Sequence, residues 1–303
     1  MVRRRSKTRL VLSVLTALSM VVAWQFFYSR QRGTAATVPK GFYLDVGGSS
    51  SLGYQPTGTL TKDGALFDTP TDTGYANDVV ELEEGKISLA LHKIGCPGET
   101  VATLVGEKDH CYKLPTTQMS IALRILRAHH NDIGVVSIDI GFNDVQPCIA
   151  TAQVEEGCAS QARRLIEADL PSIVNRLKSA AGPRTHFVGV EYGDPFLARE
   201  VEGSKEHAYA AQTLSEITEL DQELGSIYAK EGVAVAKGAT IFSLDSTTPT
   251  KMASGVVEAK NVAVVCADTY MCRAYPWGPD DHPNDEGYEA IAKEMVDVLP
   301  SSW

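Results

Sequence analysis

The run Phe42-Tyr43-Leu44-Asp45-Val46-Gly47-Gly48-Ser49-Ser50-Ser51-Leu52-Gly53 decides how the rest of this chain is read. An apolar segment of strand length stops at two glycines and three serines, the composition of a tight turn. A serine hydroxyl is thereby set at the end of a strand. Working outward, further extended apolar runs fall at 89–95, 134–140, 186–192 and 233–237, and the β-branched 134–140 suits a strand buried on both faces. Helical spacing occupies 118–130, 161–180, 207–230 and 285–299, the last opened by Asn284 or Asp285 as a cap. Pro171 interrupts the second of these and is expected to kink or divide it. Strands alternating with helices imply a mainly parallel sheet covered on both faces, a three-layer α/β sandwich with right-handed crossovers. In such sheets sites form beyond the C-terminal ends of the strands. Loops 54–73 and 241–252, rich in Thr, Gly, Ser and Asp, are expected to border that rim.

Two distant blocks give the serine turn its meaning. Gly141-Phe142-Asn143-Asp144 puts a side-chain amide after another strand, and Asp280-Asp281-His282-Pro283-Asn284 supplies an imidazole near the last helix. A nucleophile, an oxyanion donor and a general base are the parts that ester cleavage needs. These blocks, in this order, resemble the SGNH (GDSL-type) hydrolase family of esterases and lipases, over roughly residues 41–298. The resemblance implies a flavodoxin-like parallel sheet, with Ser49 of Gly47-Gly48-Ser49 as the nucleophile. Gly95-Cys96-Pro97-Gly98-Glu99-Thr100 is similar to the family's second block, in which Gly98 offers a backbone N–H. Asn143 stands at the Asn of Gly-x-Asn-Asp, and His282 at the catalytic His. The implied oxyanion hole is Ser49, Gly98 and Asn143.

Two positions depart from the family pattern. Gly48 replaces the usual Asp beside the nucleophile, and Pro279 stands where an Asp precedes the His by three residues. Asp280 is the remaining carboxylate for His282, and an exported bacterial branch of the family carries Asp-x-His there. A backbone carbonyl near Trp277 is the alternative acceptor, and Asp281 is expected to point away. Tyr192-Gly193-Asp194-Pro195-Phe196 resembles a further block of that branch and is either a structural turn or a pocket wall. Asp139 and Asp144 are read as capping and loop carboxylates. Neither a metal nor a cofactor is expected.

Charge is unevenly spread along the 303 residues, 44% of which are apolar and 22% charged. Residues 1–40 hold eight Lys and Arg and no acid, so residues 41–303 hold 20 basic against 38 acidic residues, a formal charge of −18. Such a body is repelled by phosphate backbones, and no nucleic-acid partner is expected. The basic segment 1–9 introduces an uncharged apolar run at 10–29, about 30 Å as a helix, enough to span one hydrocarbon core. The excess of Lys and Arg before it predicts a signal anchor with the N-terminus in the cytoplasm and the membrane as its partner. A cleaved signal peptide is the alternative. Residues 30–40 read as a tether, and 41–303 as the hydrolase domain.

Six cysteines fall as neighbours: Cys96 and Cys111, Cys148 and Cys158, Cys266 and Cys272. Fifteen pairings are possible. The exported branch of the family has three local bridges, which implies these three pairs; buried free thiols are the alternative. Bridges would place the domain in an oxidising compartment. The expectation is an extracytoplasmic, monomeric serine esterase or lipase acting on acyl esters of lipid or carbohydrate through an acyl-enzyme. Acyl transfer by the same residues and a catalytically silent envelope-binding module are the competing readings.

Overall fold

The computed structural model describes residues 38–106, 111–151 and 153–301. Five parallel strands form the main sheet: β1 (Lys40–Gly47), β2 (Ser88–Lys93), β3 (Ile133–Asp139), β4 (Thr185–Val190) and β5 (Ala234–Ala236), in the order β2-β1-β3-β4-β5. All five expected strands are present within a few residues of their predicted bounds. β1 and β3 are apolar without alternation because each has a strand on both sides and helices on both faces. Phe42, Tyr43, Leu44, Val46, Val135, Val136 and Ile138 are accordingly buried. Each such side chain contributes about 2 kcal/mol by leaving water.

One face of the sheet carries α1 (Tyr75–Leu82), α8 (Lys260–Asp268) and α9 (Asp285–Val298). The other carries a row from α2 (Val101–Val105) and α3 (Gln118–Ala128) through α4 (Phe142–Ile149) and α5 (Glu156–Ala180) to α6 (His207–Lys230). A short α7 (Gly238–Ile241) follows β5, and Pro249–Lys251 (β6) pairs antiparallel with Val257–Ala259 (β7). The chain leaves β1 toward one edge and β3 toward the other. A crevice therefore opens at their C-terminal ends.

Pro171 does not divide its helix, as α5 runs unbroken for 25 residues. Ile166, Leu170, Ile173, Val174 and Leu177 on either side are wholly buried, and that packing outweighs the one backbone hydrogen bond a proline removes. Asn284, of the two predicted caps, receives the Gly287 N–H at 3.1 Å. The three expected disulfides are formed: Cys96–Cys111, Cys148–Cys158 and Cys266–Cys272. Among the described residues no helix is long and apolar enough to cross a membrane, and the predicted anchor at 10–29 lies outside them.

Candidate active site

Ser49 sits where β1 gives way to a short 3-10 turn, Ser50–Leu52. The turn is held from below by a residue that its sequence pattern does not single out. Gln118, fully buried at the start of α3, accepts the Gly47 N–H at 2.8 Å and donates to the Gly47 carbonyl at 3.0 Å. Its amide also donates to Glu99 at 2.7 Å, tying the turn after β1 to the loop that carries Gly98.

The Ser49 hydroxyl donates to His282 Nε2 at 2.8 Å. On the far side of the ring, Asp280 Oδ1 accepts both the Nδ1–H and the backbone N–H of His282, each at 3.0 Å. The double acceptance settles the tautomer, because a carboxylate oxygen can only receive. Nδ1 keeps its proton and Nε2 is free to take one from the serine. Burial pulls the imidazole down, but the hydrogen bond and charge of Asp280, with Asp281 and Asp68 behind it, hold it above its ordinary value. Burial likewise pushes Asp280 up, and the bonds and charge of His282 reverse this and keep its carboxyl below the ordinary range.

The loop holding His282 is fixed at both ends. Tyr270 N–H donates to the His282 carbonyl at 3.1 Å, and Asn284 donates from its backbone to Asp268 and from its side chain to Ala267. Asp281 differs from expectation. It does not turn away from the ring: Oδ1 lies 3.7 Å from Nδ1, and Oδ2 receives Gln146 at 2.6 Å.

Asn143 stands in the first turn of α4, with its amide donating to the Glu99 carbonyl at 3.1 Å. Its position explains the glycine beside the serine. A Cβ on Gly48 would come within 2.7 Å of Asn143 Nδ2, so an aspartate there would displace the amide. Gly98 faces the same cleft with φ of +74°, a conformation only glycine adopts freely. Asp144 receives the Val101 N–H with both oxygens and so braces that loop, the structural role expected of it. Asp194 receives the Phe196 N–H at 3.0 Å and Thr213 at 2.8 Å, while its neighbour Tyr192 lines the cleft. The Tyr192–Phe196 block is therefore both turn and wall.

The cleft has a volume of about 670 Å³, within the range of small-molecule sites, and brings Ser49, Gly98, Asn143 and His282 together. Arm 54–73 forms one wall through Tyr54, Phe67 and Asp68. Loop 241–252 contributes Phe242 to a smaller apolar cavity of about 50 Å³ that shares Phe142 and Tyr192 with the cleft. Asp68 is the residue sequence reasoning missed: its Oδ2 lies 3.8 Å from His282 Nδ1. Asp68, Asp280 and His282 form the one cluster among the described residues with metal-ligand spacing. Both ring nitrogens of His282 are already engaged, Nδ1 with Asp280 at 3.0 Å and Nε2 with the Ser49 hydroxyl at 2.8 Å.

No family model matches the chain, and no curated protein matches it. Solved structures do share its fold. The extracellular lipase from Streptomyces rimosus superposes with a TM-score of 0.53 at 15% identity, covering 86% of this chain and 100% of that one. Looser likenesses are phospholipase A1 from Streptomyces albidoflavus, with a TM-score of 0.46 at 14% identity over 86% of this chain and 99% of that one, and a variant of an acetyl-xylooligosaccharide esterase from Geobacillus, with a TM-score of 0.48 at 17% identity over 88% and 95%.

Proposed function

We propose that the chain is a serine ester hydrolase of the SGNH type, tethered to a membrane by residues 10–29 with its catalytic domain on the extracytoplasmic side. The observation that carries the reading is the relay from the Ser49 hydroxyl through His282 to Asp280, at 2.8 and 3.0 Å. In this reading His282 Nε2 takes the serine proton as Oγ attacks an acyl carbonyl, and Asp280 stabilises the imidazolium that forms. The backbone N–H groups of Ser49 and Gly98 and the Asn143 amide receive the charge that develops on the carbonyl oxygen. The imidazolium then protonates the leaving alcohol, and water, activated by the same ring, releases the acid from Ser49. Three short-range disulfides in one domain support an oxidising compartment.

The test uses the full chain in detergent, with activated acyl esters from acetyl to long-chain and a fluorophosphonate probe. Hydrolysis is expected, with the probe on Ser49 and both lost in Ser49→Ala. Labelling of another residue with Ser49 unmodified would reject the assignment. Absence of any ester turnover by folded protein would reject the activity.

A further inference from the structure

The walls of the cleft carry one sign of charge. Asp68, Asp139 and Asp281 line it, and among the described residues no Lys or Arg does. Arg199, in the hollow beyond Asp281, is already paired with Glu202 at 3.3 Å and Glu206 at 3.1 Å. Asp139 ends β3 and is only 4% exposed, yet its Oδ2 has no hydrogen-bond partner, and neither has Asp68 Oδ1. Burial pushes both carboxyl groups up to about 6. Both are therefore ionised at the pH where His282, held above its ordinary value, is a neutral base. Asp280 and Asp281 repel the charge on Asp68, a repulsion that an entering anion would increase and a cation would relieve.

Aromatic rings supply much of the remaining wall. Tyr54 and Phe67 come from the arm, while Phe142 and Tyr192 stand with ring centres 5.3 Å apart. Phe67 leaves 58% of its surface open beside Asp68. The arm is held by buried Gln55, which receives Tyr270 at 2.9 Å and donates to Asp285 at 2.7 Å. Thr69 N–H donates to the Gln55 carbonyl at 2.9 Å, and Gly58 N–H to the Phe67 carbonyl at 2.8 Å, so Phe67 and Asp68 are set in place beforehand. Ring faces carry negative charge density. Together with carboxylates and without a competing base, they are the surroundings that hold an ammonium group.

The relay decides which part of an ester meets these walls. The carbonyl oxygen has to face Gly98 and Asn143, and the leaving oxygen has to reach His282 Nε2. The Tyr54 ring centre lies 6.1 Å from that of His282, and Asp68 and Asp281 come within 3.8 and 3.7 Å of its Nδ1. The leaving alcohol is thus the part nearest Tyr54 and the acids. Resting on the esterase reading above, we infer that the cleft selects esters whose alcohol part carries an ammonium group a few bonds from the ester oxygen, with the faces of Tyr54 and Phe67 taking the cation and Asp68 and Asp281 balancing its charge. The bond chemistry is that of ester hydrolysis. The acyl–oxygen bond breaks, the acyl group passes to Ser49 and then to water, and the alcohol leaves with the proton that His282 took from the serine.

The test assays the full chain in non-ionic detergent on three acetyl esters of similar size: acetylcholine, its uncharged isostere 3,3-dimethylbutyl acetate, and 3-carboxypropyl acetate. At about pH 8, kcat/KM is expected to be about tenfold higher for acetylcholine than for the isostere, and about tenfold lower for the carboxylate, with both gaps closing in about 1 M salt. Phe67→Leu and Asp68→Asn should each lower the ratio of acetylcholine to isostere about threefold, a ratio in which any effect on the relay itself cancels. In the full chain carrying Ser49→Ala, ligand-observed NMR should give a smaller dissociation constant for acetylcholine than for the isostere, a readout that needs no activity. If acetylcholine is cleaved no better than its isostere while hydrolysis still depends on Ser49, the ammonium selectivity is overturned and the esterase reading stands. An inactive wild type overturns the esterase reading, and the NMR comparison still decides the cleft: equal or absent binding of the two ligands rejects an ammonium site.

Discussion

Asp45 in the middle of the sheet and Asp280 at its rim are both carboxyl groups withdrawn from water, and both accept two hydrogen bonds on Oδ1. For each, burial is the largest influence and pushes the proton affinity up. Their outcomes are opposite. Asp45 receives the hydroxyls of Ser137 and Tyr75, leaves Oδ2 without a partner, and is carried up to about 8. Asp280 receives two N–H groups of His282, one on a ring able to hold positive charge, and ends below the ordinary range. Neutral donors soften the cost of burying a carboxylate, whereas a potential cation reverses it. Among buried acids, the partner's charge separates one that can answer a developing imidazolium from one that serves only packing.

The largest effect that could break this contrast is at Asp280. Asp280→Asn should lower ester turnover by at least 100-fold, and about 10,000-fold is the cost of the equivalent change in a serine-protease triad. Wild-type kcat/KM should rise with pH through a value above about 6.5, because the base must be neutral and His282 is held above its ordinary value. A variant retaining more than about a tenth of wild-type turnover would transfer the acceptor role to a backbone carbonyl, such as those near Trp277.

Next in size is the amide on the other side of Ser49. Asn143→Ala should cost about 100- to 1000-fold in kcat with KM little changed, because the donor is needed for the charge that develops during attack. Steady-state kinetics on an acetyl ester measures this. A change confined to KM would make Asn143 a binding residue and leave charge stabilisation to the backbone N–H groups.

The two sides of the imidazole were not equally legible. Ser49 and Asn143 each follow a strand whose apolar run announces itself, and His282 stands beside a capped helix, so local pattern and family order find all three. Asp280 is legible less directly, as the acid that remains once Gly48 and Pro279 are excluded and through the Asp-x-His pattern of the exported branch that the chain resembles. Asp68 gave no signal: it lies between Phe67 and Thr69 in a Thr-, Gly- and Asp-rich arm without periodicity. Its place depends on contacts from Gln55 to Tyr270 and Asp285, more than 200 residues away. Gln118 is silent for the same reason, since its bonds to Gly47 span 71 positions. Helix α4 is absent from the helical spacing of the sequence because Gly141, Asn143 and Asp144 open it and Pro147 lies inside. Strands β6 and β7, three residues each, are too short for any periodicity to register.

The smallest effect tests the other half of the contrast. Asp45→Asn should leave ester turnover within about twofold and act on stability alone, because Asp45 touches neither Ser49 nor His282. An acid whose folded-state value is about 8, against about 3.9 unfolded, binds a proton in the fold that the open chain has released. Its contribution is fully present below about pH 4 and is lost as pH rises through about 8. Wild-type Tm should therefore fall between pH 5 and pH 8, and Asn, which never ionises, should make that fall shallower by a few degrees. The dependence should not vanish, since burial also pushes Asp139 up to about 6 and Asp144, Glu191 and Asp194 up to about 7. Calorimetry of both proteins across this range decides the matter. If the variant is as pH-sensitive as the wild type, Asp45 is already ionised in the fold. Two hydroxyl donors would then suffice to hold a buried carboxylate charged, and partner charge would not be what sets Asp280 apart.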